Sequence, residues 1–215
     1  QGLYKRICQI RGIEWSQAAE DEWKSGLLKD TATQDDALEE YFCVPKQGGG
    51  AYISRALLEA RMVDTAILRY EGSAEFNTWP EHLREAEIAD WCKDNLLPEL
   101  IKLNAKEMHA FGEDFARSGD MTVIAPVVID QQLKRSVPFM VELKNTPFRN
   151  QEQILFYIGD RLPRLTGGAL DARGNGQYLA EQAKYKYGGG RIQEVMLSQG
   201  WYLENMPKMK AALED

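Results

Sequence analysis

The sequence predicts an α/β chain in two unlike parts, a mainly helical region over residues 1–104 and a mixed sheet flanked by helices over residues 105–215. Three observations carry this expectation. From residue 108 onward, short runs of alternating apolar and polar residues are separated by segments with helical spacing. Gly-rich turns, Gly174-Asn175-Gly176 and Gly188-Gly189-Gly190, bracket one of those helical segments. The first 104 residues instead carry helix-start signals and no sustained β-alternation.

In the first part, Ser16 before Gln17-Ala18-Ala19-Glu20 and Thr33 before Gln34-Asp35-Asp36 read as N-caps, each followed by acids in the first turn. Gly48-Gly49-Gly50 breaks the chain. Further helices are expected over 54–61 and over 86–104, where Ile88, Trp91, Leu96 and Leu97 approximate an apolar stripe and Pro98 is expected to kink or divide the run.

In the second part, 108–114 and 121–129 read as strands joined by a short turn, which makes a hairpin. A third strand is expected over 137–143 and a helix over 150–161, with Ile154, Leu155 and Ile158 on one side. A βα unit follows, with a short buried strand over 168–171 and a helix over 177–187. A strand over 192–197 and a closing helix over 199–213, interrupted near Pro207, complete the order. Three antiparallel strands followed by βα units that extend the sheet is the order of an RNase H-like fold.

Composition narrows the chemistry. No apolar run approaches the roughly 20 residues that cross a bilayer, so a soluble intracellular chain is expected. Cys8, Cys43 and Cys92 have no CxxC spacing, which points to buried free thiols rather than a disulfide or zinc framework. His82 and His109 form no paired motif, so carboxylates must carry any catalysis. The net charge of −7 lies in the first part: residues 1–104 hold 12 Lys+Arg against 19 Asp+Glu, and residues 105–215 hold 14 of each. Lys134, Arg135, Lys144, Arg149, Arg161, Arg164, Arg173, Lys184, Lys186 and Arg191 stand beside its turns, as phosphate contacts or as a solvated mixed-charge surface.

Asp114 ends an apolar strand before a turn, and Asp171 does the same after Gly167-Gly168-Ala169-Leu170. A carboxylate on a buried strand is costly unless a cation neutralises it. Mg²⁺ takes oxygen ligands, commonly one or two carboxylates with water and substrate phosphate, and a pair of such ions hydrolyses phosphodiesters. An Asp at a strand-to-turn junction also suits simple turn capping, and spacing does not choose between the two. The turn 171–176 lacks the P-loop pattern and GxGxxG, which disfavours a nucleotide site, and its glycines equally suit a tight turn.

The segment Phe111-Gly112-Glu113-Asp114-Phe115-Ala116-Arg117-Ser118-Gly119-Asp120-Met121-Thr122-Val123-Ile124 resembles the first nuclease motif of phage large terminase subunits. Leu143-Lys144-Asn145-Thr146-Pro147-Phe148, the run 151–155, Asp171-Ala172-Arg173-Gly174-Asn175-Gly176, Leu179-Ala180-Glu181 and Tyr187-Gly188 look like the rest of that domain in the Mu-like prophage branch. Upstream, 39–45 and 50–54 look like the segment that leaves the packaging ATPase.

The resemblance implies an RNase H-like, metal-dependent DNA endonuclease that cuts concatemeric viral DNA during packaging in the host cytoplasm. Asp114 and Asp171 would be catalytic ligands of a Mg²⁺ or Mn²⁺ two-metal site, with Asp120 as a supporting acid or merely a turn cap. Double-stranded DNA, the terminase small subunit and the portal protein would be its partners. Residues 1–104 would follow an ATPase domain whose Walker motifs are absent from the sequence. The family's third metal-binding acid lies near a His before a late helix, and no His follows His109. Glu142, Glu181 and Glu194 are internal substitutes, and a fragment whose third ligand lies beyond Asp215 is the simpler expectation. The competing reading is a non-catalytic packaging module that docks on DNA, portal or small subunit.

Overall fold

The computed structural model describes residues 3–29, 52–116 and 120–214. The chain divides into two compact units, Gln1–Met62 with Lys210–Asp215, and Val63–Met209.

The first unit contains helices α1 (Leu3–Arg11), α2 (Gln17–Lys29) and α3 (Arg55–Arg61). Ser16 caps α2 by accepting the Ala19 amide at 3.2 Å, as its sequence position predicts, and Ser54, read from sequence as the first residue of the helix, caps α3 by accepting the Leu57 amide at 3.2 Å. Tyr4 and Trp23 hold α1 to α2 with ring centroids 5.1 Å apart. The helix expected after Thr33 and the Gly48-Gly49-Gly50 break lie outside the described residues.

The second unit is built on a seven-stranded mixed sheet in the order β1-β5-β3-β2-β6-β7, with β4 (Arg135–Ser136) on the end of β3. The strands are β1 (Ala66–Glu71), β2 (Met108–Asp114), β3 (Thr122–Ile129), β5 (Phe139–Lys144), β6 (Leu165–Asp171) and β7 (Ile192–Val195). Strands β2, β3 and β5 form the antiparallel meander, while β6 and β7 add in parallel beside β2. This is the RNase H-like arrangement that the order of elements predicts.

Strand β1 was not legible as a strand. It pairs in parallel with β5, Ala66 opposite Phe139 through Glu71 opposite Lys144, at the edge of the sheet. Residues 63–104, read from sequence as part of the helical region, therefore belong to the sheet unit.

Helices α4 (Glu81–Trp91), α5 (Leu97–Leu100), α6 (Phe148–Gly159) and α7 (Gly176–Tyr187) supply apolar residues to the core. Ile88, Cys92, Leu96, Ile154, Leu155, Ile158, Leu179 and Ala180 pack with Phe111, Ile124, Phe139, Val141 and Leu170 of the strands. Between α4 and α5, Cys92–Leu96 form a π-turn in which the Leu97 amide reaches back to the Cys92 carbonyl. That wider turn absorbs Pro98, which has no amide to donate, so the helical run changes pitch there instead of ending. Helix α8 (Gln199–Glu214) continues through Pro207, contrary to the interruption expected there. Pro207 has no amide to donate to the preceding turn, which lies toward solvent, with Leu203 72% accessible. Cys8 and Cys92 are buried free thiols, as expected, and Cys43 lies outside the described residues. Among the described residues no helix is long and apolar enough to cross a membrane.

Candidate functional site

Because β1, β5, β2, β6 and β7 all run the same way, their carboxyl ends share one edge of the sheet. Open α/β sheets bind ligands at such edges. Asp114 ends β2 and Asp171 ends β6. The parallel register pairs Gly112 with Ala169 and Glu113 with Leu170, so the next step sets Asp114 beside Asp171 on the same face. Neighbouring strands lie about 4.8 Å apart, which is the scale on which two carboxylates share an ion.

The two acids differ in setting. Asp114 is exposed, whereas Asp171 is buried to 9% accessibility. Asp171 closes its own turn: Oδ1 accepts the Arg173 amide at 3.1 Å. The Arg173 guanidinium covers the same carboxylate, donating from Nε to Oδ1 at 3.2 Å and from Nη2 to Oδ2 at 3.4 Å. The start of α7 presses against this turn. A Cβ at Gly176 would stand 2.3 Å from the Asp171 carbonyl oxygen and 3.2 Å from Cβ of Phe115, so only glycine fits there.

Two further features emerge only in three dimensions. The first is Glu113. Strand alternation turns it to the face opposite Asp114, alongside Phe111, where it is 7% accessible and neither carboxyl oxygen has a hydrogen-bond partner. Burial, with the charges of Asp114 and Asp171 adding to it, pushes this carboxyl up to about 8, so it is protonated at neutral pH. The signal was available: Phe111 and Glu113, two apart on one strand, must share a face.

The second is a buried polar clamp on the turn that leaves β2. Thr122 Oγ1 accepts the Ala116 amide at 2.8 Å, and Gln151 Nε2 donates to the carbonyls of Ala116 at 3.2 Å and Thr146 at 2.8 Å. This ties α6 to the backbone just after Asp114. Neither residue type announces such a role in sequence.

Of the remaining candidates, Asp120 is exposed immediately before β3. Glu142 pairs with Arg69, Glu194 pairs with Lys184, and Glu181 accepts a hydrogen bond from Tyr185. None of these three joins the Asp114–Asp171 pair. Among the described residues no group of three or more His, Cys, Asp or Glu side chains is arranged to hold a metal ion. The oxygen-only donor pair fits a hard divalent cation that completes its shell with water or phosphate oxygens. The unpartnered Glu113 carboxyl stands behind the pair, raised mainly by its burial and further by the two Asp charges.

No family model matches the chain, and no solved structure matches it. It is similar along its whole length to the "Mu-like prophage FluMu protein gp28" of Haemophilus influenzae, 46% identical over 215 residues that make up 42% of that protein. It is likewise 45% identical over 216 residues to the "Probable terminase, large subunit gp28" of Escherichia phage Mu, covering 99% of this chain and 39% of that one. The chain thus spans about two fifths of the length of the curated relatives it matches.

Proposed function

We infer, from a chain related along its whole length to the FluMu prophage gp28 protein and to the probable terminase large subunit gp28 of phage Mu, that its sheet unit is a metal-dependent DNA endonuclease that cuts viral DNA during genome packaging. The observation that carries this reading is the pairing of Asp114 with Asp171 at the carboxyl ends of adjacent parallel strands. Asp114 and Asp171 would hold Mg²⁺ or Mn²⁺, with the exposed Asp120 as a supporting acid at the start of β3. When bound, such ions activate water for attack on phosphorus and stabilise the leaving oxygen. The chain's own residues then have three tasks. The strand register fixes the separation of the two carboxylates. The Thr122–Gln151 clamp holds the backbone at Ala116, two residues beyond Asp114. The neutral Glu113 carboxyl adds no third negative charge behind them. Double-stranded DNA is the substrate in this reading, the terminase small subunit and portal protein are the partners of the longer protein, and the host cytoplasm is its compartment.

The test is nicking of supercoiled plasmid in Mn²⁺ by the chain extended past Asp215 and by the same extended chain carrying the double change Asp114→Asn/Asp171→Asn. Nicking by the unaltered chain, lost in the variant while its melting temperature is retained, is the expected result; full activity in the variant would overturn the assignment. One observation favours a second reading, a non-catalytic docking module: the lack of a three-acid cluster among the described residues. Under that reading calorimetry with Mn²⁺ gives no heat that depends on Asp114.

A further inference from the structure

The guanidinium of Arg173 stands where a cation serving Asp171 would stand. It meets both carboxylate oxygens, yet at 3.2 and 3.4 Å, longer than the roughly 2.7–2.9 Å of a strong charge-assisted bond. A third contact, Nη1 to the Leu197 carbonyl at 3.3 Å, is equally long. The arginine side chain is 52% accessible while the Asp171 side chain is 10% accessible, so the guanidinium is the solvent-side cover of the acid. Among the described residues no other ion pair involves Asp114 or Asp171. Arg173 is anchored independently of its charge, because its backbone amide also donates to Asp171 Oδ1. The guanidinium can leave without moving the residue.

We propose that Arg173 is an exchangeable cation, neutralising Asp171 until a divalent ion takes that carboxylate, and then turning its freed guanidinium onto a phosphate of the bound DNA strand. The proposal rests on the metal-binding reading of the Asp114–Asp171 pair. Its physical basis is simple competition. One carboxylate cannot serve a guanidinium and a divalent ion at full strength together, and a planar fork with two free donor edges matches a phosphate as well as it matches a carboxylate. The exchange would couple ion binding to DNA binding, since each metal ion taken up releases a phosphate ligand beside the scissile strand.

The test compares the chain with Arg173→Gln and Arg173→Lys in two titrations, one of Mn²⁺ by calorimetry and one of a short DNA duplex by fluorescence anisotropy in Ca²⁺. Removing a competing ion pair of this exposure is expected to tighten Mn²⁺ binding by up to about fivefold in Arg173→Gln. The same variant is expected to lose the Ca²⁺-dependent part of its duplex affinity. Arg173→Lys, which keeps the charge and loses the fork, falls between them and guards against a variant that merely misfolds. Equal or weaker Mn²⁺ affinity in Arg173→Gln, or unchanged duplex affinity, overturns the exchange while leaving the metal reading intact. Absence of Mn²⁺ binding in all three proteins overturns both.

Discussion

The hydroxyl of Thr122 lies 2.9 Å from Oε1 of Gln151, with both side chains at most 1% accessible. One strand start and one helix thereby grip the backbone of the same residue, Ala116, two residues past Asp114. Thr122→Val keeps the shape and removes the hydroxyl, leaving the partly buried Ala116 amide without its acceptor. The expected loss is about 1–3 kcal/mol, read as a lowered urea midpoint with an unchanged slope. Gln151→Leu, which removes the side-chain donor to the Thr146 carbonyl and leaves the Ala116 carbonyl to the Thr122 hydroxyl alone, is expected to cost a similar amount. The two together should cost less than the sum of the singles, because they share partners.

Stability should fall as pH rises because of Glu113. Its carboxyl is raised from 4.5 to about 8 in the folded chain, so the folded state binds more protons than the unfolded state between those values. Stability is undiminished by this group below about pH 4.5 and declines as pH rises toward 8. At 1.36 kcal/mol per pH unit the decline is on the order of 4 kcal/mol. Glu113→Gln should flatten that slope and melt higher than the parent at pH 8. Parallel pH profiles for the two proteins would contradict the assignment.

Gly176→Ala places a methyl 2.3 Å from the Asp171 carbonyl oxygen, a backbone atom that cannot rotate away. Either α7 or the end of β6 must shift. The expected cost is about 1–3 kcal/mol. Weakened Mn²⁺ binding should accompany the loss of stability, since the atom displaced belongs to a proposed ligand. A variant that melts normally and titrates normally would show that this close approach matters less than its geometry requires.

Gly168 meets a different obstacle. An added Cβ there would stand 2.5 Å from Cζ of Phe111, in the middle of the β2–β6 pair. Gly168→Ala alone should destabilise by about 1–3 kcal/mol. Combined with Phe111→Leu, which shortens the obstructing ring, it should cost less than the two single changes added together. Strict additivity, measured by thermal unfolding, would argue against direct contact.

The sequence by itself determined the local elements of the second part and the positions of its strand-end acids. Strand β2 runs from Met108 to Asp114, as its alternation dictates, and Ser16 caps the helix it precedes. Those signals depend on periodicity and on side chains bonding to nearby backbone, which act within a few residues. Strand β1 escaped because an edge strand is exposed along most of its length and owes its place to pairing with β5, far along the chain. The same holds for the site. Sequence supplied Asp114 and Asp171 as separate residues. Only the parallel register of β2 and β6 made them neighbours, and only the folded turn brought Arg173 over one of them. Tertiary structure decided these relationships because electrostatic and hydrogen-bond partners are chosen by distance in space, to which spacing along the chain is blind.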